Sequence, residues 1–440
     1  MDNSELWTLL TDVECMTALG HVRENPAMAA LIRLLWACRG EHQDPETLRN
    51  AYIGVYDAWL HAAAKGRGGF AREALEAVLF EESAAASLCA RMDAADLPYS
   101  LVSSMAHDLE TLGQIPAIEP AMCLLLCQRA GMTGETAARL PVWEPVLGIE
   151  PFDPRIDRDM LSRAGARRVA AFFRKQGTGI FARYPGSIYV GVSKEYPLGL
   201  RGVSKPDSIR LEEMVLYENV RSLLVENTEH LMHGESAGHV LLCGNKGTGK
   251  SATVKALLPK FMLEGLRIVE MPPAQLTHLP ELFHVLRDQP CKFIVFVDDL
   301  TFETSGPEYE ALKSALEGGL ETCPENVVIY ATCSRAGIVS KAGEGEASPA
   351  LCALADRFDL RLTFSAPTEE EYFTICRALL DAKGIVYDWE ALQPEAHDWI
   401  VERKSCSPRD ARQFTDYAVD VLIEAPEEAP EAARAEEKKE

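Results

Sequence analysis

Gly244-Asn245-Lys246-Gly247-Thr248-Gly249-Lys250-Ser251 is the stretch from which the fold of this chain can be read. It fits G-x-x-x-x-G-K-[ST], a loop whose glycines let successive backbone N–H groups turn inward on phosphate oxygens. Lys250 would then place a cation on the β- and γ-phosphates of a nucleoside triphosphate, and the Ser251 hydroxyl could ligate Mg²⁺. The flanks agree with that reading. His239-Val240-Leu241-Leu242-Cys243 is a short apolar run, as expected of a buried parallel strand. Downstream, Val254, Leu257 and Leu258 share one face of a helix whose N-terminal N–H groups and dipole would meet the same anion.

A second element completes the pattern. Lys292-Phe293-Ile294-Val295-Phe296-Val297-Asp298-Asp299 is an apolar strand ending in two acids. Asp298 is the expected Mg²⁺ partner beside Ser251, and Asp299 the candidate for polarising an attacking water. The alternative is a solvated strand end. A third strand, Asn326–Thr332, runs into Cys333-Ser334-Arg335. With Leu266–Met271 and Leu360–Phe364 there are five strands, which predicts an α/β fold with a doubly wound, five-stranded parallel sheet. Its crevice, at the strand carboxyl ends, would gather Lys250, Asp298, Asp299 and the Ser334 region.

The remainder of the 440 residues divides around this core. Residues 1–175 read as a separate all-α N-terminal domain, with Asn25-Pro26 and Asp44-Pro45 each placing a capping side chain before a first-turn proline. Apolar helical runs fall near 70–80, 100–112, 120–130 and 156–173. Residues 176–207 are rich in Gly and Pro and read as a linker, with a short strand at Ser187–Val190. The nucleotide-binding domain follows over 208–366, a helical lid over 367–423, and an acidic, disordered tail over 424–440.

Bulk composition excludes several classes. A net charge of −23 argues against nucleic acid or an anionic membrane as the partner. The local exception, eight basic residues from Arg155 to Arg183 against Asp157 and Asp159, is either an anion contact or a solvated, balanced helix face. No membrane-length apolar run and no basic leader occur, so a soluble cytoplasmic protein is expected. Twelve cysteines without a Cys-x-x-Cys pair read as buried free thiols in a reducing compartment; Cys123 and Cys127 have same-face spacing but no further ligand nearby in sequence.

Taken together, Pro206–Leu211, Gly244–Ser251, Phe296–Leu300, Leu316-Glu317-Gly318-Gly319, Ile329–Thr332, Asp356-Arg357-Phe358 and Ala411–Phe414 resemble the AAA+ ATPase superfamily. Within it, the chain looks most similar to a bacterial family of predicted ATPases catalogued as domain of unknown function 815. The resemblance spans roughly residues 195–420 and implies ATP and Mg²⁺ as cofactors. It implies that Met214, Val215 and Leu216 cover the adenine, and that Ser334 takes a sensor position usually held by Asn. Arg357 would be an arginine finger reaching a neighbouring subunit's γ-phosphate, or else an ion-pair partner of Asp356 or a strand cap. Arg409 would be a second sensor at the head of the last lid helix, or else a surface charge. Two departures bear on turnover. Asp299 stands where Glu is usual, and Ser334 where Asn is usual; Glu303, five residues past Asp298, is the candidate to substitute as base.

Three functions fit the sequence. The first is a homo-oligomeric AAA+-like ATPase that remodels or loads a protein partner held by the N-terminal helices. The second is a slowly hydrolysing, nucleotide-gated scaffold. The third, disfavoured by the net charge, is a DNA or helicase loader using the Arg155–Arg183 stretch.

Overall fold

The computed structural model describes residues 1–40, 42–64, 69–143, 155–207, 209–300, 306–318, 322–334 and 353–422. Its centre is a seven-stranded sheet in the order β2-β1-β4-β5-β6-β3-β7. Strands β3 (Val240–Gly244), β4 (Leu266–Glu270), β5 (Lys292–Val297), β6 (Val327–Cys333) and β7 (Leu360–Phe364) are the five expected, and all are mutually parallel. Two more correct the expected count. β1 (Gly186–Tyr189) joins β4 in parallel, and β2 (Leu200–Val203) closes the edge antiparallel, so the sheet is mixed.

Both extra strands come from the Gly- and Pro-rich stretch 176–207, where four-residue strands are too short to show alternation. Gly202 sits on β2 because the ring of Tyr184 crosses it; a Cβ there would lie 2.1 Å from Tyr184 Cδ2.

Alternation along the strands explains the two covered faces. Phe293, Val295 and Val297 pack under helices Leu279–Arg287 and Pro307–Glu317. Ile294 and Phe296 point the other way, toward Glu218–His233 and Lys250–Phe261. A strand buried on both faces reads as continuous apolar sequence, which is why β5 is unbroken from Phe293 to Val297. Tyr330 of β6 spends its hydroxyl on Asn227 Nδ2 and Thr228 Oγ1, each at 2.9 Å, pinning Glu218–His233 to the sheet.

The N-terminal residues form helices Asn3–Glu14, Pro26–Ala37, Pro45–Ala64, Phe70–Phe80, Ala84–Arg91, Tyr99–Gln114 and Pro120–Arg129 around one apolar core. Asn25 Oδ1 accepts from the Ala27 and Met28 N–H groups, and Asp44 Oδ2 from Thr47 N–H at 2.9 Å, as their positions before proline predict. The run expected over 156–173 is helical only as Ala166–Gln176, preceded by two 3₁₀ turns. A Cβ on Gly165 would stand 2.1 Å from Met160 O, so the chain doubles back there.

This body meets the sheet at Arg267, a β4 residue 1% exposed. Its guanidinium donates to Phe181 O at 2.6 Å, Gln176 O at 3.0 Å, Gln176 Oε1 at 2.8 Å, Leu266 O at 2.8 Å and Met262 O at 3.2 Å. After β7, helices Glu369–Ala382, Trp389–Arg403 and Pro408–Tyr417 enclose a small core of their own. No helix among the described residues is long and apolar enough to cross a membrane.

At the start of β3, inside the sheet, His239 Nδ1 accepts the Ile329 N–H at 3.0 Å, a bond that only the neutral ring can make. Burial depresses its pKa, opposed in part by Asp359. The unfolded chain therefore binds this proton more readily, so its contribution to stability is full above about pH 6.5 and falls as pH drops below it. Thermal melts of His239→Gln should show a shallower loss of midpoint between pH 7.5 and 5.5 than wild type. Parallel slopes would refute it.

Candidate functional site

The loop after β3 turns on Gly244, Gly247 and Gly249, with φ of 149°, 84° and 97°. Gly249 immediately precedes helix Lys250–Phe261, so that helix's first N–H groups open into the loop. Lys250 is 8% exposed, and its Nζ donates to Gly244 O and Asn245 O, both at 2.8 Å. Desolvation lowers its pKa, while Asp299 and Asp298 are among the groups that raise it. Thr248 Oγ1 closes the loop on Asn245 O at 2.9 Å.

Behind the loop, Ser251 Oγ donates to Asp298 Oδ1 at 2.6 Å. The same carboxylate oxygen accepts Thr332 Oγ1 at 2.6 Å. Thr332 Oγ1 in turn accepts the Asp299 N–H at 2.9 Å. Asp299 has a φ of 54°, a left-handed conformation costing a residue with a Cβ roughly 1 kcal/mol. Sequence reading overlooked Thr332. The signal was the β5–β6 register, which pairs Val297 with Ala331 and so sets the next residues, Asp298 and Thr332, side by side.

A cavity of about 350 Å³ lies between the loop and the C-terminal helices. Gly247 to Ser251 form its floor. Ile209, Met214, Val215, Tyr217, Ile375 and Leu379 make an apolar wall. Its charged lining is Lys250, Arg221, Arg409 and Arg412 against Glu213. Neither Arg409 nor Arg412 has an acidic partner among the described residues. In a chain of net charge −23, this concentration of cations is a local inversion. Arg221 and Arg412 were not singled out by sequence, because their convergence depends on how two distant helices are packed.

The C-terminal helices touch the loop directly. Arg409 N–H donates to Gly247 O at 3.3 Å, and a Cβ on Gly247 would lie 2.6 Å from Ser407 Oγ. Gly247→Ala therefore combines a left-handed strain of about 1–2 kcal/mol with that clash. Thermal melts of Gly247→Ala should show a midpoint lower by on the order of 5 °C. An unchanged midpoint would show that the loop and the C-terminal helices tolerate separation.

The other expected site residues lie as follows. Met214 and Val215 line the cavity, whereas Leu216 does not; it packs with Val215 on the core of the C-terminal helices, and its carbonyl accepts from Arg221. Gly244, Asn245 and Lys246 form the root of the loop and do not line the cavity. Asp298 and Asp299 sit behind Ser251, and Ser334 is one residue past the end of β6. Arg357 is outside the cavity and donates to Glu317 and to Ala353 O; the expected partner Asp356 pairs instead with Arg361 at 2.8 Å. Glu303 lies outside the described residues, as do Gly319 and Arg335.

The basic stretch from Arg155 is largely spent internally. Arg155 donates to Ala182 O at 2.7 Å, and Arg163, Arg168, Arg174 and Arg183 pair with Glu110, Asp157, Asp93 and Glu76 at 3.6, 2.6, 2.9 and 3.5 Å. These five side chains tie the helical body together, as the balanced-face reading expects of them. The described cysteines are free thiols. Cys123 and Cys127 are buried beside Cys38, and no group of three or more His, Cys, Asp or Glu among the described residues could hold a metal ion.

The family model described as "Protein of unknown function (DUF815)" matches residues 190–421. Among solved structures, the Holliday junction branch migration motor RuvB of Thermotoga maritima is similar with a TM-score of 0.35 and 20% identity, over 48% of this chain and 65% of that one. A variant of the same RuvB is similar at 22% identity with the same coverage and TM-score. This chain thus spans under two thirds of the RuvB chains it matches. The search of curated proteins finds no match.

Proposed function

This chain belongs to the DUF815 family, and from the cavity between its phosphate loop and C-terminal helices we propose that it is a AAA+-like ATPase binding ATP with Mg²⁺. The observation carrying the proposal is the cavity's polarity. One side offers the N-terminus of a helix, Lys250 and three arginines; the other is an apolar wall. A triphosphate suits the first and a nucleobase the second. Met214 and Val215 then cover the adenine, while Lys250, Arg409, Arg412 and Arg221 hold negative charge.

The Ser251 hydroxyl and the Asp298 carboxylate, 2.6 Å apart, form a pair of hard oxygen donors of the kind Mg²⁺ takes. When bound, the ion would supply positive charge to the β- and γ-oxygens. Asp299 orients the water, Ser334 serves as sensor, Arg357 reaches across a subunit boundary in a homo-oligomer, and the N-terminal helices hold a protein partner to be remodelled or loaded. Free thiols accord with a cytoplasmic setting.

A second reading, the slowly hydrolysing scaffold, is favoured by one observation: Asp299 is short and held in a left-handed conformation by its backbone. The DNA-loader reading stays the least favoured, on the net charge of −23 and because Arg163, Arg168, Arg174 and Arg183 of the basic stretch are paired with acids.

The test combines nucleotide titration with native mass by light scattering, with and without ATP and Mg²⁺. Binding in wild type and its loss in Lys250→Ala is the expected result; equal binding in both would defeat the proposal. For the shared site, an arginine finger contributes on the order of 10³ in rate or more, so Arg357→Ala should nearly abolish turnover. Turnover and native mass both unaffected would eliminate the oligomeric form of the proposal.

A further inference from the structure

Thr332 is buried, 1% exposed, on β6, the strand that lies between the phosphate-loop strand β3 and the acid strand β5. It pairs with Leu242 on the β3 side. On the β5 side it makes three hydrogen bonds to three consecutive residues. Its hydroxyl donates to Asp298 Oδ1 at 2.6 Å, the hydroxyl oxygen accepts Asp299 N–H at 2.9 Å, and its carbonyl accepts Leu300 N–H at 2.8 Å. Asp298 Oδ1 is also the acceptor of Ser251 Oγ at 2.6 Å.

A single hydroxyl can donate once and accept at the same time. Both capacities are used here, and the acceptance requires Asp299 N–H to turn toward β6. That demand accounts for the left-handed φ of 54° at Asp299. Serine at this position would retain the hydroxyl, whereas valine of the same shape would remove it. The β-branched side chain also restricts χ1, so the hydroxyl is pre-aimed.

We propose that Thr332 is a positioning residue that sets the Asp298 carboxylate toward Ser251 and fixes the direction of Asp299, so that metal-dependent and metal-independent nucleotide binding separate at this hydroxyl. The proposal rests on the ATP·Mg²⁺ reading of the site. It assigns Thr332 no contact with nucleotide; its effect passes through Asp298 and Asp299. With the hydroxyl gone, Asp298 keeps only its Ser251 contact of the two, and Asp299 N–H loses its acceptor. The carboxylate is then free to rotate away from the loop.

The experiment measures affinity for a fluorescent ATP analogue with EDTA and across a Mg²⁺ titration, together with steady-state turnover and the melting midpoint of the nucleotide-free protein. In Thr332→Val, affinity in EDTA should stay within about twofold of wild type. The Mg²⁺ concentration for half-maximal effect should rise at least ~10-fold, a change of about 1.4 kcal/mol. Any turnover should fall in kcat with KM little changed. Thr332→Ser should restore the Mg²⁺ response to within about threefold. Thr332→Ala removes the same hydroxyl without a branched side chain, so the readout does not depend on the valine variant folding.

Wild-type Mg²⁺ dependence in a folded Thr332→Val or Thr332→Ala protein would overturn the proposal. So would an equal loss of affinity in EDTA and in Mg²⁺, which marks a merely structural threonine. Absence of nucleotide binding in wild type, or equal binding by Lys250→Ala, would instead remove the parent reading and the proposal with it.

Discussion

Lys250→Ala is expected to weaken ATP binding by at least ~30-fold, about 2 kcal/mol, while leaving a folded protein. The size follows from the surroundings. Lys250 is the loop's buried cation, and two of its three donors already hold Gly244 O and Asn245 O. The third is available for phosphate, and a charge-assisted hydrogen bond is roughly twice as strong as a neutral one. Truncation also leaves two loop carbonyls without their ammonium, so the nucleotide-free melting midpoint should drop by a few degrees, on the order of 1 kcal/mol. The binding loss should far exceed that. Because desolvation depresses this ammonium, wild-type affinity should also decline as pH rises toward its lowered pKa, and Lys250→Ala should lack the decline. Isothermal titration at two pH values measures both effects. Wild-type affinity in the variant would leave the cavity without its principal anion-binding group.

Arg267→Ala should be the most destabilising single change outside the cavity, by roughly 3–5 kcal/mol. Five hydrogen bonds converge on this buried guanidinium, three of them from the turn region between the N-terminal body and the sheet. Without it, Phe181 O and Gln176 O lose a donor in a place water does not reach, and a large void opens beside β4. The melting midpoint should fall by on the order of 10 °C, with the first proteolytic cuts between residues 176 and 186. Arg267→Lys should recover only part of this, because an ammonium has three donors and cannot fork between Phe181 and Gln176. A midpoint within two or three degrees of wild type would mean that the helical body is held by its apolar contacts alone.

The contrast between these two residues shows what the sequence could disclose. Lys250 sits inside a contiguous pattern of strand, glycine turn and helix, and local patterns survive translation into sequence. The place of Asp298, just past the end of an unbroken apolar strand, was legible for the same reason. Arg267 was not, since nothing in Leu266–Glu270 distinguishes a buried arginine from one at a solvated edge. Thr332 needed the register between β5 and β6, and Arg221 and Arg412 needed the packing of two helices against one loop. The strands β1 and β2 were too short and too rich in glycine to announce themselves, although Ser187–Val190 overlapped the first. Arg357 illustrates the reverse case. Its neighbour Asp356 was the obvious partner in sequence, but Glu317, brought in from the end of a distant helix, took that place.

The strand order has a mechanical meaning. Since β6 stands between β3 and β5, the glycine loop after β3 and the acidic end of β5 share no backbone ladder. They communicate through two hydroxyls, Ser251 and Thr332, meeting on one carboxylate oxygen. Of the two, Thr332 is held by its branched side chain on a buried strand, whereas the Ser251 hydroxyl turns about an unbranched bond, a motion far faster than a strand needs to slip. The sheet therefore carries the acid, and its joint to the loop narrows to one serine hydroxyl.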